Sequence, residues 1–131
     1  MTRGSPGRGR QPLRQTAGMT LQMYAVTVDC RDTSAMARFW AEALSGTVRD
    51  SGNGYVAVDH GPDGTLHLLF QPVPEDRAGK NRIHLDLTAP DAAAQVDRLV
   101  TLGAAVVEKR SDSRFTWWVL TDPEGNVFCV G

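Results

Sequence analysis

Short runs of alternating apolar and polar side chains, interleaved with stretches in which apolar positions recur every three to four residues, set the pattern of this chain. From Tyr24 to Asp29 the side chains alternate, with Tyr24, Val26 and Val28 on one face and Ala25, Thr27 and Asp29 on the other. Met36, Phe39, Trp40, Ala43 and Leu44 then fall at helical spacing, one apolar stripe that reads Phe39 and Trp40 as core. Asp32 or Thr33 can cap this helix, and Gly46 suits its exit. Three short strands are predicted next, over Thr47 to Arg49, Tyr55 to Asp59 and Thr65 to Gln71, with Gly61-Pro62-Asp63-Gly64 as a hairpin turn.

The same order then recurs. Ile83-His84-Leu85-Asp86-Leu87 is a strand, and Asp91 caps a helix with Ala92, Val96, Leu99 and Val100 inward and Gly103 at its end. Strands follow over Ala105 to Lys109, Thr116 to Leu120 and Val127 to Val130. The helix-opening aspartates, Asp32 and Asp91, and the turn prolines, Pro62 and Pro123, repeat with a period of about 60 residues, the mark of two copies of one supersecondary unit. The expected fold is α+β: two tandem β-α-β-β-β modules, 20–74 and 81–131, whose curved mixed sheets surround a shared concave cavity. Pro72 to Lys80, with two prolines and mixed charge, reads as the linker. A site is expected between the copies, since each is too small to bury its apolar face well alone.

Composition narrows the partners. The stretch 1–19 is rich in Gly, Pro, Ser, Gln and Arg and is expected to be a disordered tail, with Met19 as an alternative start. It holds Arg3, Arg8, Arg10 and Arg14 and no acid. Taking those four from the 14 basic residues leaves 10 against 15 acidic, a formal −5. That balance argues against a nucleic-acid partner and favours neutral or cationic ligands. No apolar run approaches the roughly 20 residues of a membrane helix, and the tail lacks the apolar core of a secretory signal. A cytoplasmic location is expected, with Cys30 and Cys129 as free thiols. The sequence carries no Gly-rich phosphate loop, no Gly-x-Ser-x-Gly and no paired-cysteine zinc pattern.

The tandem repeat, the Phe39-Trp40 pair before Leu44-Ser45-Gly46, and the closing Asp122-Pro123-Glu124-Gly125-Asn126 together resemble the glyoxalase, bleomycin-resistance and dioxygenase (vicinal oxygen chelate) superfamily. The run Lys80-Asn81-Arg82-Ile83-His84-Leu85-Asp86-Leu87 resembles its glyoxalase-like subgroup. This resemblance implies a cavity site, which metal-using members equip with four ligands, two from each module. At the strand-start positions it places His84 in module two but Ala25 in module one, which cannot ligate. At the last-strand positions it places Cys129 where Glu is usual, and either His67 or Gln71.

Each candidate carries more than one reading. His84 and Asp86, two apart on one strand, share a face, as a metal ligand or general base with its tuning carboxylate, or as an ordinary hydrogen-bonded histidine. Cys129 is a soft metal ligand, a nucleophile activated by histidine, or a small buried hydrophobe, the last being commonest for free cysteines. Trp117 and Trp118 are adjacent on a strand and point to opposite faces, so one is core and the other lines the cavity. Thr27 and Asp29 offer polar contacts on the cavity side, while His60 reads as solvated, Asp122 as a turn residue and Cys30 as structural.

The favoured function is binding of a small organic molecule in the cavity, without a metal, as a binder of the bleomycin-resistance type or a glyoxalase-like enzyme. Its ligand would contact a tryptophan, His84, Asp86 and Gln71. The alternative is a metal-dependent lyase or isomerase, with a zinc-like ion on His84, Cys129 and His67 or Gln71. A third reading is a module acting only through oligomer contacts, and the open sheet edges make a homodimer an expectation.

Overall fold

The computed structural model describes residues 22–131, so the tail lies outside the described residues. Module one runs β1 (Val26–Cys30), α1 (Thr33–Leu44), β2 (Thr47–Gly52), β3 (Tyr55–His60) and β4 (Leu66–Pro72). Module two runs β5 (Leu85–Leu87), α2 (Ala92–Leu102), β6 (Ala105–Ser111), β7 (Thr116–Thr121) and β8 (Val127–Val130). The strands form two open four-stranded sheets, ordered β1-β4-β3-β2 and β5-β8-β7-β6. Each first strand joins its neighbour in parallel and the other pairs are antiparallel. This is the expected α+β tandem of β-α-β-β-β modules with mixed sheets. No helix among the described residues is long and apolar enough to cross a membrane.

Local chemistry accounts for the element ends. Asp32 rather than Thr33 caps α1, its Oδ1 accepting from Ala35 N at 2.9 Å, and Asp91 caps α2 through Ala94 N at 3.1 Å. Thr33 instead donates its hydroxyl to Gly54 O. The left-handed residue after α1 is Ser45 (φ 54) and not Gly46. Gly46 answers a different demand, because a Cβ there would lie 2.8 Å from Asp59 O. The first strands are shorter than their alternation, since β1 begins at Val26 opposite Leu68 and β5 at Leu85 opposite Phe128, where partners become available. The turn before β4 is a single 3-10 turn, Pro62–Gly64, with Asp63 at φ 55.

One apolar core spans both modules. Met36, Phe39 and Trp40 of α1 pack with Leu68 and Phe70 of β4 and with Leu120 and Phe128 of module two. Trp40 and Phe39 meet Phe128 edge-on, at 4.9 and 6.3 Å between ring centres. Cys30 is 2% exposed in this core, and burial, then the charges of Glu124 and Asp122, push its thiol up to about 12. It is an inert hydrophobe.

Polar ties from module two fix α1 along its length. At its start, the Glu124 carboxylate accepts from the backbone N–H of Arg31 and Asp32 at 2.8 to 2.9 Å. Midway, Trp40 Nε1 donates to Asp122 Oδ2 at 3.2 Å. At its end, Arg98 of α2 donates to the carbonyls of Glu42 and Ala43. Asp122 is 4% exposed and also accepts from Glu124 N, Asn126 N and Asn126 Nδ2. Asp122→Ala should therefore strand one buried and three part-buried donors and cost about 2–4 kcal/mol in denaturant unfolding, against about 1 kcal/mol for Trp40→Phe at matched packing. A loss below about 0.5 kcal/mol for Asp122→Ala would mean that water satisfies the turn as well as the carboxylate does.

Candidate functional site

The helix-free face of the module-two sheet carries the densest chemistry. Its strand register sets Asp86 beside Cys129, Cys129 beside Val119 and Val119 beside Glu108, one row across all four strands. His84 precedes β5 and shares the face of Asp86, its Nδ1 2.9 Å from Asp86 Oδ1. That contact leaves Nε2 for another partner. Both side chains are open to solvent, at 51% and 72% exposed.

Alternation along β7 settles the tryptophan pair. Leu120 is fully buried and Trp118, two residues before it, packs against the core, while Lys109 Nζ sits 5.3 Å from the Trp118 ring centre. Trp117 points the other way and lines a cavity of about 930 Å³ with His84, Asp86, Cys129 and Phe115. Gly131 makes room for it, because a Cβ there would stand 3.0 Å from Trp117 Cβ. Burial and then the Asp86 carboxylate raise the Cys129 thiol above its ordinary value, against a smaller opposing effect of Arg110. The free thiol is thus protonated and weakly nucleophilic at neutral pH.

This cavity is lined by 80–131 alone, whereas two smaller ones at the β1–β5 seam are lined by both modules. Thr27 lies on β1 in the other sheet and borders the seam cavity instead, and Gln71 on β4 stands in register with Asp29; neither lines this cavity, and Trp118 does not either. His67 is held elsewhere: its Nδ1 lies 2.6 Å from Asp59 Oδ1, and Arg49 grips the same carboxylate through Nε at 2.8 Å and Nη2 at 2.9 Å. The Tyr24 ring sits against His67 at a tilt, 5.5 Å between ring centres. This network occupies the open face of the module-one sheet. His60, expected to be solvated, is partly buried, and burial, then the neighbouring His67, lower its pKa.

Phe115, the Glu108–Arg110 ion pair and Lys80 border the cavity without having been singled out in the sequence. The pair had a signal, since residues two apart on a strand share a face. Phe115 had none, because it is placed by a loop in which Asp112 Oδ1 accepts from Arg114 N and Phe115 N.

The donor set can be tested against a metal ion. Ligand atoms of His84, Asp86 and Cys129 all lie within 4.8 Å of one another. One nitrogen, one oxygen and one sulfur donor fit a zinc-like ion better than a hard cation and leave a coordination position open. His67 is not part of this group, and Ala25 offers no donor.

The Asp59 network makes a pH prediction. Burial opposes ionisation of Asp59, but the hydrogen bonds from Arg49 and His67 outweigh it and hold its pKa below the ordinary 3.8. A carboxyl whose folded pKa is depressed adds stability that is complete above its unfolded value and fades as pH falls through the folded one. The stability gap between wild type and Asp59→Asn should therefore be constant near neutrality and close below about pH 4 in urea unfolding. A gap that persists unchanged to pH 2 would assign the effect to packing.

Comparison with known proteins adds family and fold. The family model described as Glyoxalase-like domain matches residues 25–131. A glyoxalase/bleomycin resistance protein/dioxygenase family enzyme from Burkholderia phytofirmans is 19% identical, with a TM-score of 0.67 over 82% of this chain and 94% of that one. The fosfomycin resistance protein FosX from Listeria monocytogenes, solved as a mutant with Mn(II) and 1S,2S-dihydroxypropylphosphonic acid, is 11% identical, with a TM-score of 0.71 over 86% and 90%. UcmS2 is 20% identical, with a TM-score of 0.65 over 86% and 98%. At these identities the likeness is one of fold. No curated protein matches the chain. With 107 consecutive residues matched, from 25 to the final Gly131, the chain belongs to the Glyoxalase-like domain family.

Proposed function

We propose that the protein binds a small planar organic molecule on the open face of the module-two sheet, as a binder of the bleomycin-resistance type or a glyoxalase-like enzyme. The observation that carries this reading is the cavity of about 930 Å³ in which Trp117 and Phe115 stand beside the His84–Asp86 pair. Pockets of this size, with aromatic walls and a few convergent polar groups, suit ligands of drug-like dimensions. Stacking on Trp117 supplies affinity, and His84 Nε2 supplies a directed contact to a carbonyl or hydroxyl. A homodimer joined through exposed strand edges is compatible with this site and is not needed to complete it.

A second reading is favoured by the three donor atoms within 4.8 Å: a zinc-like ion on His84, Asp86 and Cys129 in a lyase or isomerase. Such an ion would act as a Lewis acid toward a carbonyl oxygen. His84 would bind through Nε2 with its ring oriented by Asp86, or Asp86 would itself be a ligand.

Two measurements separate these readings. Tryptophan quenching against a panel of aromatic carbonyl compounds should detect a ligand whose affinity falls at least about tenfold in Trp117→Ala and in His84→Ala, with melting temperature nearly unchanged. Full binding in Trp117→Ala, or a collapse of melting temperature with intact binding in His84→Ala, would overturn the site. Elemental analysis of fresh protein decides the metal. Near-stoichiometric zinc, nickel or iron that disappears in His84→Ala and Cys129→Ala supports the lyase or isomerase; no bound metal and no stabilisation by added ions leaves the metal-free binder.

A further inference from the structure

A second chamber lies where the two sheets abut. β1 and β5 are the outer strands of their sheets and form no ladder with each other, so the seam between the modules is closed by side chains alone. A cavity of about 280 Å³ opens there. Its apolar walls are Val26 and Val28 of β1, Leu68 of β4, Trp40 of α1, Leu85 of β5 and Phe128 of β8. All six belong to the core or pack against it, and Trp40, Leu68 and Phe128 are each less than 5% exposed. The cavity is a cleft open to solvent on its roof side, with core side chains as its floor.

Its polar character is one-sided. The roof is the connection from Arg77 to Ile83, which carries Arg77, Lys80 and Arg82. None of the three forms an ion pair among the described residues. Arg77 also borders the groove of Asp32, Asp76 and Glu124, which leaves Arg82 turned to the chamber alone and Lys80 to the chamber and its neighbour on the module-two sheet. The single acid on the wall, Asp122, is already engaged by Trp40 Nε1, two backbone amides and Asn126 Nδ2. Gly79 in the roof has φ +73 and nothing within 4 Å of the place a Cβ would take, so the roof is not packed down at that point. Ile83, also in the roof, is 77% exposed although apolar.

An apolar chamber under an unpaired cationic roof selects an amphipathic anion. We infer that the seam chamber is a binding site for a small organic carboxylate with an aromatic or branched apolar body of about ten non-hydrogen atoms, taking the ~30 Å³ share of a water as the measure. The body replaces water against Trp40, Phe128 and the valines, and the carboxylate meets Arg77 or Arg82, with Arg the better geometric match to a carboxylate. The site is separate from the one on the module-two sheet. Only Lys80, His84 and Val127 border both cavities, and neither Trp117 nor Cys129 borders the chamber.

The test is an NMR titration of the full chain, following backbone amides, with phenylacetate and its neutral isostere phenylacetamide as probes. Phenylacetate should shift the amides of Val26, Val28, Leu85 and Phe128 in a saturable way, and phenylacetamide should bind at least about tenfold more weakly. The double variant Arg77→Gln/Arg82→Gln changes only exposed side chains. It should weaken phenylacetate about tenfold and leave phenylacetamide unchanged. Trp117→Ala should alter neither, which keeps the outcome independent of the function proposed for the other cavity. Equal affinity for the two probes would overturn the inference, as would the absence of saturable shifts at the seam. Shifts confined to the Cys129 face and lost in Trp117→Ala would overturn it too.

Discussion

The buried carboxylate of Asp122 is the point on which the two halves of the molecule depend. A duplicated β-α-β-β-β unit has two half-cores that must find each other, and apolar contact alone sets no register between them. Here the closing turn of module two gathers around Asp122, and its Oδ2, which also accepts from Asn126 Nδ2, takes the indole N–H of Trp40 from module one. Next in sequence but one, Glu124 accepts from Arg31 and Asp32 at the mouth of α1, where the helix has unsatisfied N–H groups and a partial positive charge. Direction comes from these hydrogen bonds, and the bulk of the stabilisation from the aromatic contacts of Phe39, Trp40 and Phe128 beside them.

The halves have diverged in what their open faces do. In module one, Arg49, Asp59 and His67 satisfy one another and Tyr24 covers the histidine, which makes that face a closed polar network. In module two the comparable face keeps its functional groups available: His84 retains Nε2, Trp117 a ring face, and Cys129 a thiol that burial keeps protonated. Fold-level symmetry therefore does not carry over to chemistry. On the proposed function, one sheet serves as scaffold and the other offers the surface.

The sequence disclosed the fold because the two periods, 2 and 3.6, alternate in the same order twice and are punctuated by Asp caps and Pro turns. Local signals of that kind need no knowledge of what lies across the core. His84, Asp86 and Cys129 were also legible as a group, since strand parity puts the first two on one face and the family resemblance implies the third. What parity cannot give is which strand of the other module comes near. Gln71 and Thr27 have the right parity but belong to the opposite sheet, and His67 finds Asp59, its neighbour across the β3–β4 pair, before any group of module two. The Trp40–Asp122 bond was illegible for the same reason: each partner has a complete local explanation, one as helix core and the other as turn residue.

The unequal burial of the helices bears on where binding can act. α1 buries Met36, Ala37, Phe39, Trp40 and Ala41, whereas α2 buries only Val96 and Leu99, and every residue of β6 is exposed. Less apolar contact means a lower free energy for local opening, so α2 and β6 form the part of the fold expected to open first. The proposed ligand face includes β6, through Glu108 and Arg110. A molecule seated between His84 and Trp117 bridges β5 and β7, strands that are not neighbours in the sheet, and would stabilise the closed form in proportion to its occupancy. Because the grip on α1 issues from the loop between β7 and β8, that stabilisation would also reach module one through Asp122 and Glu124. A ligand on the proposed face would thus act on the half with the less buried helix, where binding energy has the most opening to suppress.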